Sequence, residues 1–144
     1  MSSDNQFPSV MVIDDDATFV AWVGKWLASK ESVRFIGSGL SIAETRDEVA
    51  HLRPDVLLLD FKIPGEGVLA YIRELQTTCA TTRVVVHTGA LDREVLQSSL
   101  TAGAAGVLGK DVSPGELLLC VERAGKGHMV FSDSARRIIL DIGR

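Results

Sequence analysis

Four short apolar runs, rich in β-branched residues, recur along this chain, and each closes on a polar group. Val10-Met11-Val12-Ile13 closes on Asp14-Asp15-Asp16, and Val56-Leu57-Leu58-Leu59 closes on Asp60. Arg83-Val84-Val85-Val86-His87 ends at Thr88, and Ala105-Gly106-Val107-Leu108-Gly109 ends at Lys110. Runs of this length and content are the pattern of buried strands. The stretches between them carry helical period, which predicts a βαβα order and a mostly parallel sheet. In such sheets the strand C-termini share one edge, where ligands bind in a crevice. Asp14, Asp15, Asp60, Thr88 and Lys110 are therefore expected to converge on one pocket from four strands.

The aspartate triplet narrows the chemistry. Adjacent carboxylates repel and raise one another's pKa, so a solvated loop gains nothing from clustering them. A hard divalent cation such as Mg²⁺ reverses that cost, because it takes oxygen ligands and commonly uses one or two carboxylates plus phosphate. An acidic helix start explains a lone triplet equally well, since Asp is favoured at N-caps and in first turns.

Helices can be placed between the strands. Phe19, Trp22, Val23, Trp26 and Leu27 predict a first helix whose apolar stripe, tryptophans included, faces the sheet. Val33 to Gly37 reads as the second strand, and Ser41-Ile42-Ala43-Glu44 has the spacing of a capping box. Pro54 marks the end of that helix. Leu69, Ile72 and Leu75 predict a third helix, and Val95, Leu96 and Leu100 a fourth ending at Gly103. Ser113-Pro114-Gly115-Glu116 repeats the capping-box spacing with proline at the first helical position, opening a fifth helix. The expectation is an α/β fold, (βα)₅, with a doubly wound parallel sheet of five strands.

With 144 residues, 46% hydrophobic and 24% charged, the chain suits one soluble domain with a sizeable core. No apolar stretch approaches membrane-spanning length, and Met1 to Gln6 lacks the basic and apolar regions of a signal peptide, so a cytoplasmic protein with no membrane partner is expected. Cys79 and Cys120 are too few for a disulfide framework and lack metal spacing. The formal net charge of −4 argues against a nucleic-acid surface.

Together the segments VMVIDDD, DVLLLDFKIPG, VVVHTG and AGAAGVLGKDVSPGELL strongly resemble the receiver domain of two-component response regulators. The last segment is most similar to receivers that precede a helix-turn-helix domain, the NarL/FixJ type. The resemblance spans roughly Pro8 to Lys126 and implies a flavodoxin-like fold. It implies that Asp60 is the phosphoacceptor, taking a phosphoryl group from a histidine kinase or phosphotransfer protein. It further implies that Asp14 and Asp15 hold Mg²⁺, with Asp15 the more direct ligand, that the main-chain carbonyl of Lys62 is a further ligand, and that Asp16 is a helix N-cap. Lys110 is implied to pair with the phosphoryl oxygens, and Thr88 to donate to one of them and move inward. The implied domain layout is an N-terminal extension over 1–8, the receiver over 9–127, and a linker with a short helix over 128–144. A signalling phosphoacceptor rather than an enzyme is expected, in a transcriptional regulator, with a homodimer among the assemblies it admits.

Some positions depart from the pattern. Val107 stands where an aromatic switch residue is usual, so the loop Gly89–Asp92 is expected to carry the movement. Asp111 replaces a frequent proline after Lys110, Gly67 and Val68 replace an acidic residue and a glycine after Pro64, and Gly89 stands where alanine is common. Two other readings compete. Asp14-Asp15-Asp16-Ala17-Thr18 satisfies the DxDxT signature of haloacid-dehalogenase-type phosphatases, with Asp14 as nucleophile and Asp16 as acid/base; but no strand with paired acids follows Lys110. A degenerate receiver that only docks partners is the third class. Ile138, Ile139 and Leu140 are too few to bury a lone helix, so the C-terminal segment is expected to pack on a partner subunit or to be mobile, without binding DNA specifically.

Overall fold

The computed structural model describes residues 7–143, so the features read from Met1 to Gln6 lie outside the described residues. The strands are β1 (Ser9–Ile13), β2 (Arg34–Gly39), β3 (Val56–Asp60), β4 (Arg83–Thr88), β5 (Gly106–Gly109) and β6 (Val130–Phe131). They alternate with helices α1 (Ala17–Ala28), α2 (Ile42–Leu52), α3 (Val68–Thr78), α4 (Arg93–Ala102), α5 (Pro114–Gly125) and α6 (Asp133–Ile142). All strand pairs are parallel, in the order β2-β1-β3-β4-β5-β6. The direction of winding reverses between β1 and β3, so the C-terminal ends of these two strands flank the switch-point crevice.

Strand alternation explains the two layers. Met11, Ile13, Leu57, Leu59, Val84, Val86 and Val107 face one cluster with α2, α3, α4 and Ala135 of α6. Their neighbours Val10, Val12, Val56, Leu58, Val85 and Leu108 face the other, closed by Val23 and Leu27 of α1 and Leu117 and Val121 of α5. Successive strand residues point to opposite faces, so a continuous apolar run is what a sheet covered on both sides requires.

The helix starts follow their caps. Ser41 Oγ accepts from the Glu44 amide at 3.0 Å, and Ser113 Oγ from the Glu116 amide at 3.2 Å. The start of α2 has a second partner that its local sequence does not reveal. Glu66, in the loop after β3, accepts from the amides of Ile42 and Ala43 at 2.7 and 2.9 Å. At the start of α3, Gly67 supplies no side-chain cap, as its replacement of an acidic residue foreshadows.

Three expectations are corrected. The sheet has six strands, not five. Val130 and Phe131 pair with Gly106 and Val107, and the missing side chain at Gly106 permits it: a Cβ there would lie 2.4 Å from the Val130 carbonyl oxygen. The C-terminal segment packs on its own domain. Ser132 caps α6, Ala135 is fully buried, and Ile138 and Ile139 lean on the core that α4 and β5 already provide. Finally, Trp22 of α1 is not core, whereas Trp26 is half-buried and packs against the cluster that α1 and α5 close. Val20, Val23, Gly24 and Leu27 are the buried positions, while Trp22 is 46% exposed and stacks on Trp26 with ring centroids 5.6 Å apart. The buried positions follow the i, i+3, i+7 stripe, which leaves Trp22 and Trp26 on the flank, four residues apart and in contact.

Candidate functional site

Asp14 follows β1 directly and is almost wholly buried. Its Oδ1 accepts from the Asp16 amide at 2.9 Å, and its own amide donates to the Gly39 carbonyl at 3.2 Å, so the chain turns sharply there. Asp15 is exposed at the rim. Asp16 caps α1 by accepting from the Phe19 amide at 3.1 Å, as expected of it.

Asp60 ends β3 with only 5% of its surface exposed, and its Oδ1 accepts from the Lys62 amide at 3.4 Å. Carboxylate oxygens of Asp14, Asp15 and Asp60 lie within 4.8 Å of one another. Lys110 leaves β5 and places Nζ 2.9 Å from Asp14 Oδ2 and 3.7 Å from Asp60 Oδ1. The same ammonium sits 5.5 Å over the Phe19 ring. Thr88 ends β4, fully buried. Its carbonyl accepts from the Lys110 amide at 2.8 Å, and its Oγ1 accepts from the Ala90 amide at 3.1 Å, leaving the hydroxyl proton free to donate. Five of the six residues singled out from the sequence thus gather here: Asp14, Asp60 and Lys110 through ion pairs, Asp15 within 4.8 Å of the other two carboxylates, and Thr88 through a backbone bond to Lys110. Lys62 joins through its amide.

The electrostatics follow from the crowding. Burial first, and then the charge of Asp14, push the Asp60 pKa up to about 7, with Lys110 pulling the other way. Burial opposes the charge of Lys110, but the contact with Asp14, and then the charges of Asp14, Asp60 and Asp15, outweigh it and hold its pKa above the ordinary lysine value.

Three carboxylates facing one ammonium is a donor set short of positive charge. Asp14 Oδ2, buried and ion-paired with Lys110, receives no well-angled hydrogen bond. Three carboxylates gathered within 4.8 Å around one ammonium fit a hard divalent cation such as Mg²⁺.

The sequence of the chain from residue 10 to 122 matches the family model described as "Response regulator receiver domain". This chain belongs to that family. Among curated relatives, the receiver is 28% identical over 142 residues to the nitrate/nitrite response regulator protein NarL of Escherichia coli strain K12, covering 94% of this chain and 63% of that protein. It is 25% identical over 131 residues to the DNA-binding transcriptional activator DevR/DosR of Mycobacterium tuberculosis, covering 91% of this chain and 60% of that protein. The chain therefore spans less than two thirds of the length of these relatives. Among solved structures, the signal receiver domain of a NarL response regulator from Mycobacterium tuberculosis superposes with a TM-score of 0.79 at 28% identity, covering 85% of this chain and 99% of that one. A LuxR-family two-component response regulator from Aurantimonas shares the fold, with a TM-score of 0.86 at 18% identity over 94% of this chain and 96% of that one. The chain is thus a receiver-domain signalling module, similar in sequence to the NarL receivers.

One residue near the site was not assigned any role from sequence. His87 pairs in register with Asp60 across β3 and β4 and is 3% exposed. Burial, and then the charge of Lys110, lower its pKa to about 4, so it is neutral at ordinary pH. Its ring lies 5.2 Å from that of Phe19, and both rings line one cavity with Lys110. Strand alternation was the available signal, since residues two apart share a face and Val85 packs against α5.

Proposed function

We propose that this receiver is switched by Mg²⁺-dependent phosphorylation of Asp60, with a histidine kinase or phosphotransfer protein as the donor. The observation that carries this reading is the burial of Asp60 at a strand end, 3.7 Å from the Lys110 ammonium and beside two further carboxylates. In the transfer, an Asp60 oxygen attacks the phosphorus of a phosphohistidine. The new P–O bond forms as the P–N bond breaks, and the imidazole leaves with the electron pair. Lys110 neutralises charge on the phosphoryl oxygens, and the free proton of Thr88 donates to one of them. Asp14, Asp15 and Asp60, with the Lys62 carbonyl, would hold Mg²⁺, whose charge offsets the repulsion between the phosphoryl group and the carboxylates. Most of the rate enhancement is then positioning and charge neutralisation.

The name of its relative, the DNA-binding transcriptional activator DevR/DosR, supports a transcriptional output for this receiver. Cytoplasmic signalling is part of the same reading. Among the described residues no helix is long and apolar enough to cross a membrane. No sequence-specific DNA binding is assigned to these residues, whose net charge is −4.

Incubation with Mg²⁺ and acetyl phosphate tests the reading. One phosphoryl group, labile to hydroxylamine, should appear on Asp60, and Asp60→Asn or chelation of the metal should abolish it. Stable phosphorylation of the Asn variant at another residue would remove Asp60 from its role. No phosphorylation under any donor would favour a docking module.

A further inference from the structure

The residues on either side of Lys110 are bonded to the start of α6. The Gly109 amide donates to Ser132 Oγ at 3.0 Å, and the same oxygen caps α6 by accepting from the Ala135 amide at 3.3 Å. The Ser132 and Ser134 hydroxyls lie 3.0 Å apart, and Ser134 donates to Asp111 Oδ1 at 3.4 Å. Glycine at 109 makes this possible: a Cβ there would lie 2.4 Å from Asp111 Oδ1 and 2.8 Å from Ser134 Oγ. A cavity of about 330 Å³ lies alongside, lined by Thr88, Gly89 and Leu91 together with Lys110, Asp111 and Ser134.

We propose that α6 is latched to the acceptor site through Gly109 and Asp111, and that phosphorylation of Asp60 loosens the latch. This rests on the phosphoacceptor reading and extends it to the C-terminal helix. A phosphoryl group on Asp60 adds negative charge beside Lys110 and draws its ammonium away from Asp14. The Thr88 hydroxyl is drawn toward the same group, taking the Gly89–Leu91 loop with it, and the cavity gives that loop room to move. Lys110 cannot shift its main chain without disturbing Gly109 and Asp111, and side-chain hydrogen bonds weaken steeply with a few tenths of an ångström and poor angle. Apart from the latch, the helix is held by the partly buried Ile138 and Ile139 and by Arg136, which lies 3.9 Å from Glu116. Ala135 is its one fully buried residue, while Leu140 and Ile142 are 66% and 38% exposed. A ten-residue helix is marginal in water without docking, so loss of its cap and latch loosens it on the core.

Hydrogen exchange on the whole chain, with Mg²⁺ and with or without beryllofluoride as the phosphoryl mimic, tests this. Amides of residues 134–142 should exchange about fivefold faster or more in the loaded protein. Ser134→Ala and, independently, Asp111→Ala should raise exchange there before loading and shrink the difference on loading. Linkage requires both variants to bind beryllofluoride more tightly by the factor lost. Unchanged protection over 134–142, with beryllofluoride bound and residues 88–92 responding, would overturn the latch and leave the phosphoacceptor reading standing. Unaltered exchange in both variants would overturn it as well. Absence of beryllofluoride binding would remove the acceptor reading, and the latch with it.

Discussion

The Lys110 ammonium lies closer to Asp14 than to Asp60, at 2.9 Å against 3.7 Å. Asp14 therefore acts on Asp60 in two ways: its charge raises the Asp60 pKa, and it holds the lysine that would lower it. Asp14→Asn should drop the Asp60 pKa from about 7 toward the ordinary carboxylate range in metal-free protein. Carboxyl-carbon NMR titration reads this directly. An unmoved midpoint would assign the whole shift to burial.

The three consecutive aspartates should separate by function. Asp15→Ala should weaken Mg²⁺ binding by about tenfold or more, because a small ion with strict geometry loses a direct carboxylate. Asp16→Ala should leave Mg²⁺ affinity unchanged and cost about 1 kcal/mol of stability through the lost cap on Phe19. Calorimetric Mg²⁺ titration and thermal melts of the two variants measure both effects. A metal defect in the Asp16 variant would reopen the phosphatase reading.

The raised pKa of Asp60 makes metal-free stability fall as pH rises. Its folded value of about 7 stands above its ordinary 3.8, so its stabilising contribution is complete below 3.8 and is lost as pH rises through 7. Asp60→Asn should therefore be more stable than the parent above pH 7, by an amount on the order of a few kcal/mol, with the advantage vanishing near pH 4. Denaturant melts across this range in chelator are the measurement, and added Mg²⁺ should narrow the gap.

His87 works in the opposite direction. Its folded pKa of about 4 lies below its ordinary 6.5, so its contribution is present above 6.5 and is lost as pH falls through 4. His87→Leu should flatten the acid limb of the stability profile between these values. An identical limb in the variant would place the acid sensitivity on other groups.

Gly106→Ala should detach the last strand. The added methyl meets the Val130 carbonyl, a backbone atom that cannot rotate away, and overpacking of this kind costs about 1–3 kcal/mol. Exchange at residues 130–131 should rise while the amides of β1 and β3 keep their protection. Uniform loss of protection would instead show that β6 supports the whole sheet.

Much of the site was legible because strand ends are legible. A β-branched run that stops at Asp60, and another that stops at Thr88, fix where the backbone leaves the sheet, and parallel topology sends those ends to one edge. Asp16 as a cap could also be read locally, since its partner, the Phe19 amide, is three residues away. His87 was legible only to its face of the sheet, through alternation with Val85; its place beside Asp60 was not, because that register pairs strands separated in sequence. Nor was the role of Glu66, whose carboxylate caps a helix that begins 24 residues earlier.

The sequence by itself determined the alternation of strands and helices, the two-sided burial of the sheet, and the gathering of Asp14, Asp15, Asp60, Thr88 and Lys110 at one edge. These follow from local periodicity, and period is carried by neighbours in the chain. Only the tertiary structure decided that Val130 and Phe131 form a sixth strand, that α6 docks on its own domain, and that Trp22 stays at the surface. A two-residue strand has no periodicity to read, and α6 has too few apolar residues to predict its own burial. Both are held by what β5 offers them: the open backbone at Gly106, the Gly109 amide, and an apolar face that exists only once the rest of the chain has folded.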